Sequence, residues 1–173
     1  DFINLPAEKY WTLPKTKKDV KTDIRNRIYS GDYIGAEKID GTYQKCIRDE
    51  DSNFHLIARN PSVSGEMTDK IDWCPQFTPF LEALPNGTCL LCELHMEKNT
   101  SSRKITTIMG CLKDKAIARQ QKDGYLWLYV FDVWAYNNHS CLSLTARERF
   151  ELLAKIAEKF AGAQYIHFAK YYE

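Results

Sequence analysis

Lys38 and Asp40 stand two residues apart, with Gly41 directly after them, at the end of the stretch Tyr33-Ile34-Gly35-Ala36-Glu37-Lys38-Ile39-Asp40. The stretch reads as a strand. Side chains alternate along a strand with period two, so Lys38 and Asp40 are expected to project from the same face. Gly41 lets the backbone bend there or come close to a ligand. A lysine and a carboxylate on the inner face of a sheet contribute nothing to packing. They suit a covalent amine nucleophile or a phosphate contact. Taken alone, the same residues also describe a strand edge with solvated charges, because a short motif has many chance matches.

Three further places carry chemistry. Thr88–Met96 is a mainly apolar run holding Glu93. A buried glutamate is rare unless it is paired or bound to something, so either a core cation or a ligand must account for it. Arg59 leaves the run Phe54–Arg59 just before Asn60-Pro61, where proline stops the strand and the guanidinium suits an anion or a surface ion pair. Phe131 lies in Tyr125–Tyr136, the longest aromatic and branched run, with Asp132 as its only charge. Phe131 is core by default in such a strand, and Asp132 reads as a structural carboxylate.

These residues need a sheet and helices to hold them. Thr42–Arg48 and Phe54–Arg59 are expected as a hairpin across the polar turn Asp49–Asn53. Gln76–Leu84 reads as a short helix carrying Phe77, Phe80, Leu81 and Leu84, and Pro85-Asn86-Gly87 as a turn. Residues 61–75 and 97–104 read as loops, and Ile105–Gln121 as a short strand or turn followed by a helix. Thr145 and Glu148 form a capping box for a helix to about Phe160, with Phe150, Leu153, Ile156, Ala157 and Phe160 on its apolar face. Gly162 ends it. Ala163–Tyr172 is strand-like and uncapped, as if the fold continues past residue 173. Ahead of all this, residues 1–15 are an irregular lead-in punctuated by Pro6 and Pro14. Thr16–Ser30 is a helix opened by Thr16 with Asp19 and closed by Gly31. Val20, Ile24 and Ile28 share one face. Lys17, Lys18, Lys21, Arg25 and Arg27 make the other basic, either a solvated face or a phosphate-backbone contact.

The 173 residues suffice for one domain with a proper core, and 44% apolar and 27% charged residues are ordinary for a globular protein. A net charge of +1 excludes a global basic field, though not local clusters. No run approaches the ~18 apolar residues of a membrane span, and the first residues have no signal-peptide character. The chain begins without Met, as a trimmed sequence would. Six scattered cysteines read as reduced, buried thiols in the cytoplasm. Cys89 and Cys92 have CxxC spacing, but within a strand the step points their sulfurs to opposite faces, and no second pair follows, which argues against zinc. His55, His95, His139 and His167 are dispersed and read as structural.

In chain order, Glu37-Lys38-Ile39-Asp40-Gly41, Ala58-Arg59-Asn60, Leu91-Cys92-Glu93-Leu94 and Val130-Phe131-Asp132-Val133 resemble motifs I, Ser-Arg-Asn, III and IIIa of the covalent nucleotidyltransferases. That superfamily comprises ATP-dependent DNA ligases, RNA ligases and messenger-RNA capping enzymes. Thr68-Asp69-Lys70 and Leu84-Pro85-Asn86-Gly87-Thr88 also resemble the intervening segments of ligases. The resemblance spans about residues 31–173. It departs at Tyr43, where arginine is usual, and at Leu91 and Cys92, where aspartate and glycine are usual.

The resemblance implies an α+β, ATP-grasp-like nucleotidyltransferase fold of antiparallel sheets flanked by helices, with ATP held between them. Residues 1–30 would be a lead-in with a basic helix, and 31–173 the N-terminal part of an adenylation domain. Motifs IV and V and the oligonucleotide-binding (OB) domain are not within this sequence. Lys38 would be the nucleophile, taking AMP from ATP as a phosphoramidate while pyrophosphate leaves. A lysine attacks phosphorus only as the free amine, which nearby cations and desolvation favour. Glu37 would reach the adenine amine and Phe131 would stack on adenine. Glu93 would bind the ribose hydroxyls and Arg59 the triphosphate. Ile39 and Gly41 would complete the nucleotide pocket, and Asp40 would hold Mg²⁺ through water or orient the leaving strand. The expected partners are ATP and nicked DNA, for a monomer away from membranes. The alternatives are an RNA ligase, towards which Glu-Lys-Ile-x-Gly-Thr leans, and an inactive nucleic-acid-binding module that keeps the fold.

Overall fold

Alternating apolar positions along Thr42–Arg48 (β2), Phe54–Ala58 (β3), Thr88–His95 (β4) and Trp127–Tyr136 (β5) build one antiparallel sheet, in which β3, β2, β4 and β5 lie side by side. His139–Ser140 (β6) extends it past β5, and Ile166–Phe168 (β7) pairs with β5 in parallel. Gly35–Ala36 (β1) pairs separately with Tyr171–Tyr172 (β8). The helices are Lys17–Ser30 (α1), Thr78–Ala83 (α2), Ser102–Met109 (α3), Lys113–Asp123 (α4) and Ala146–Lys159 (α5). This computed structural model describes residues 2–6, 17–97 and 101–172, without the side chains of 17–20 and 28. Thr16, Val20 and Ile28, expected to open and line α1, lie outside that description.

The two faces of the sheet do different work. One carries Cys46, Leu56, Leu90, Cys92, Leu94, Leu128 and Val130, buried with Phe77, Phe80, Leu81, Ile105, Ile108, Leu153 and Ile156 from the helical side. The other carries Tyr43, Ile47, Ile57, Cys89, Leu91 and Trp134, with Phe2, Ile3, Leu5, Met67 and Phe131 packed against them. Cys89 and Cys92 therefore fall in separate clusters, as the strand period requires. All six cysteines are free thiols.

Lys45 is the exception on the second face. Its position within β2 buries it to 1% exposure, and its sequence context gives no warning. The ammonium donates to the carbonyls of Phe2 at 2.7 Å, Ile3 at 2.5 Å and Leu5 at 3.0 Å. Burial lowers its pKa, an effect that nearby Cys89 opposes. Three carbonyl acceptors replace the water a buried cation loses, and they seat the segment Phe2–Leu5 on the sheet.

Several expectations change. The strand expected over Tyr33–Asp40 is confined to Gly35–Ala36; Lys38, Ile39 and Asp40 lie in irregular backbone. β1 finds its partner in β8, away from the main sheet, and the chain must then turn through Gly41 to enter β2. Strand alternation therefore does not orient Lys38 and Asp40. Ile105–Gln121 contains no strand: α3 begins at Ser102, inside the expected 97–104 loop, and runs to Met109 with Ile105, Ile108 and Met109 buried, residues 110–112 turn, and α4 follows as the expected helix. The terminal stretch is two short strands, β7 and β8. The Thr145–Glu148 capping box is present in both directions and opens α5. Gly31 and Gly162 follow their helices at φ of +74° and +85°, the left-handed conformation of a helix C-cap.

Candidate functional site

The irregular backbone after β1 is held from several sides. The Glu37 N–H donates to the Lys170 carbonyl at 3.3 Å. The Tyr129 hydroxyl donates to the Glu37 carbonyl at 3.2 Å. Beyond Lys38, Gly41 passes so close to β4 that a Cβ there would lie 2.4 Å from the Leu94 carbonyl oxygen and 3.0 Å from a Glu93 carboxylate oxygen. Glycine at this position is a steric requirement of close approach. Lys38 thus hangs in a short span tethered before and after it, and its Nζ lies 3.5 Å from the Ile39 carbonyl oxygen.

Across the sheet, Tyr43 on β2, Glu93 on β4 and Tyr129 on β5 stand in one row of paired residues. Phe131 follows Tyr129 on the same face. The Arg59 guanidinium lies over the Tyr43 ring, 4.7 Å from its centroid. The Tyr43 and Phe131 rings are 6.2 Å apart and tilted by 55°. A cation and two aromatic rings thus form a graded wall. Glu93 is half-buried, and burial pushes its carboxyl pKa up; the charges of Lys38 and Arg59 pull it back, and Asp40 adds to the rise. One acid, two cations and a second acid therefore share one electrostatic environment.

A cavity of about 570 Å³ opens between this wall and α5, within the range of small-molecule sites. Of the expected residues, Glu37, Lys38, Ile39, Arg59, Glu93 and Phe131 line it together. Asp40 and Gly41 stand outside the lining: Asp40 is exposed, and Gly41 supports the turn from below. A neighbouring hollow of about 690 Å³ is larger but contains neither Arg59 nor Glu93. Convergence of chemistry, not size, marks the site. Among the described residues no group of three or more His, Cys, Asp or Glu is arranged to hold a metal, and no helix is long and apolar enough to cross a membrane.

Sequence reasoning missed the far wall. Tyr129, Arg149, Phe150 and Tyr171 also line the cavity. Arg149 on α5 bonds buried Asp132 through Nε at 2.8 Å and Nη2 at 3.3 Å, which accounts for that carboxylate structurally. The Phe150 and Tyr171 rings stack at 3.8 Å, and the Tyr171 hydroxyl donates to the Phe131 carbonyl. Tyr129 had a readable signal, two places before Phe131 on the same strand face. Tyr171 had none, because its part depends on β8 pairing with β1. His95 is buried against His167, with ring centroids 5.3 Å apart. Burial and His167 push its pKa down to about 4, so it is neutral and structural near pH 7.

A family model for the ATP dependent DNA ligase domain matches residues 13–172. The chain belongs to that family. No curated protein matches it as a relative. As an ATP dependent DNA ligase domain it is a nucleotidyltransferase enzyme that uses ATP, and its mixed helical and antiparallel architecture is the α+β fold expected. The cavity at the Lys38 loop is where this ligase domain brings an amine, a guanidinium, a carboxylate and an aromatic face together.

Proposed function

We propose that this chain performs the adenylation step of a DNA-joining reaction, with Lys38 as the covalent nucleophile. The supporting observation is the convergence of Lys38, Arg59, Glu93 and Phe131, from four separate segments, on one cavity. In this reading residues 31–173 carry the adenylation chemistry and residues 1–30 supply a lead-in and a basic helix. ATP enters with adenine against Phe131, whose half-buried ring offers a stacking face. Glu37 meets the adenine amine, and Glu93 accepts from the ribose hydroxyls. Ile39 and Gly41 shape the turn beneath the nucleotide. Arg59, braced over Tyr43, stabilises negative charge on the phosphates.

The Lys38 nitrogen attacks the α-phosphorus as the free amine. A nitrogen–phosphorus bond forms, the bond from the α-phosphorus to the bridging oxygen breaks, and pyrophosphate leaves with that oxygen. One of the two protons on the attacking nitrogen passes to solvent as the bond forms, and the product is lysyl-AMP. Magnesium fits in a limited way. It is usually held by one or two carboxylates together with substrate phosphates, and exposed Asp40, electrostatically linked to Glu93, is the carboxylate assigned to it in this reading. It would supply charge neutralisation on the triphosphate.

The test uses ATP labelled at the α-phosphate. The chain should acquire acid-labile label that Lys38→Ala abolishes while circular dichroism stays unchanged. A folded wild-type chain that takes up no label refutes the assignment. Sealing of 5′-phosphorylated nicks, compared between DNA and RNA duplexes, identifies the strand joined; activity on RNA alone replaces DNA in this reading.

A further inference from the structure

Among the described side chains of helix α1, none belongs to either hydrophobic cluster of the sheet. Its sequence concentrates charge: five Lys or Arg against two Asp give Lys17–Ser30 a net +3 in a chain of net +1. Of its described side chains, Lys21, Arg25 and Ile24 are exposed, and Tyr29 is 81% exposed. These four residues frame a shallow surface hollow of about 310 Å³. Beside it Arg27 pairs with Asp23 at 2.8 Å and lies over the ring of Tyr33, 4.8 Å from the centroid. Tyr33 is itself half exposed and stands five residues before Lys38. A cationic face with aromatic rings among the cations joins the candidate nucleophile through one short link.

We infer that the Lys21–Arg25–Tyr29 face of α1 is a docking surface for the sugar-phosphate backbone of the nicked duplex that the AMP-charged Lys38 serves. The inference rests on the adenylation reading, which requires a nucleic acid beside the cavity. Charge complementarity selects the occupant. Two exposed cations one helical turn apart match a polyanion, and an exposed tyrosine adds a flat apolar face that a sugar or an unpaired base at a nick can cover. A solvated helix needs cations for solubility but has no use for an 81% exposed tyrosine one turn beyond them. Because the remainder of the chain carries net −2 (+1 less +3), α1 also sets which side of the protein a duplex approaches.

The experiment measures binding of a 5′-phosphorylated nicked DNA duplex by fluorescence anisotropy across a salt series, together with lysyl-AMP formation. Each phosphate contact contributes about 0.9 to the slope of log affinity against log salt. The double variant Lys21→Ala/Arg25→Ala should lower that slope by about 1.8 and leave label uptake from ATP unchanged. The exchange Lys21→Arg/Arg25→Lys should keep the slope. Tyr29→Ala should weaken binding with no change of slope. An unchanged slope in the double variant overturns the inference, as does equal affinity for a polyglutamate of matched charge, which would assign the face to an acidic protein. Loss of label uptake in the wild type, with slope behaviour as expected, removes the adenylation reading and leaves the phosphate surface standing.

Discussion

Tyr129 holds Glu37 by its backbone: the phenolic hydroxyl of one donates to the carbonyl of the other at 3.2 Å, across 92 positions of sequence. The bond fixes the residue just before Lys38 from the centre of the main sheet. Burial raises the Tyr129 pKa, and the neighbouring charge of Glu37 adds to the effect, so the hydroxyl is a protonated donor at physiological pH.

Removal of that hydroxyl should therefore misplace the amine without emptying the nucleotide site. Tyr129→Phe gives up one neutral hydrogen bond, about 1 kcal/mol, at a carbonyl that water can also reach. Label uptake from ATP should slow by roughly five- to tenfold, with KM for ATP and melting temperature nearly unchanged. A variant whose KM rises while its limiting rate holds would show that Tyr129 binds nucleotide and does not position Lys38.

Gly41 offers a harsher perturbation of the same loop. Gly41→Ala forces a methyl to within 2.4 Å of the Leu94 oxygen, so β2 or β4 must shift. Overpacking of this kind costs roughly 1–3 kcal/mol. Lower thermal stability and lost label uptake are expected together, in contrast to Tyr129→Phe. Native stability with native activity would contradict the close approach.

Lys45 predicts a stability effect remote from the reacting atoms. Lys45→Met keeps an unbranched side chain in the sheet but leaves three carbonyls without their donor. Hydrogen bonds to charged groups contribute roughly 1.5–3 kcal/mol each when intact, although carbonyls that swing to water recover much of that. A net loss of roughly 2–4 kcal/mol in urea unfolding and faster proteolysis near Phe2–Leu5 are expected. Equal stability of variant and wild type would mean the segment is not anchored by the ammonium.

His55 should make stability depend on pH. Its ring bonds Asp69 through Nδ1 at 2.7 Å and Asp49 through Nε2 at 3.0 Å, while Asp69 also accepts the Leu56 N–H at 2.9 Å. Burial alone would lower the His55 pKa, but hydrogen bonds and charge from the two aspartates outweigh it and raise the pKa above 6.5. At Asp49 burial likewise acts upward, yet the bonds from His55 and Asn53 prevail and depress its pKa. A raised histidine contributes fully below its unfolded pKa of about 6.5 and loses that contribution as pH rises through the folded value. The depressed Asp49 contributes above the ordinary carboxylate range and fails as pH falls through its folded value. The melting-temperature difference between wild type and His55→Asn should be largest in mildly acidic buffer and shrink towards pH 9. A difference independent of pH would exclude the charged bridge.

The hairpin, β4, β5 and the capping box of α5 were legible because each depends on local periodicity or a three-residue hydrogen-bond pattern. The convergence of Arg59, Glu93 and Phe131 was legible through motif order. The backbone at Lys38 was not: Tyr33–Asp40 has strand composition, but only Gly35–Ala36 finds a partner, and that partner lies at the far end of the chain. The burial of Lys45 was hidden for the same reason, since its acceptors come from residues about forty positions away. The Phe150–Tyr171 wall likewise exists only once two distant elements meet. Short-range signals place strands and caps, and they are silent on which distant segment satisfies a buried charge.

The pairing of β1 with β8 has a consequence in time. Gly35 and Ala36 leave a translating ribosome well before Tyr171 and Tyr172 are made. At about 5–20 residues per second, the interval is on the order of ten seconds. Through that interval the Lys38 span lacks its β8 partner and the Lys170 carbonyl that accepts from Glu37. A nascent chain should therefore be unable to hold the Lys38 span in its folded place until its synthesis has passed residue 172.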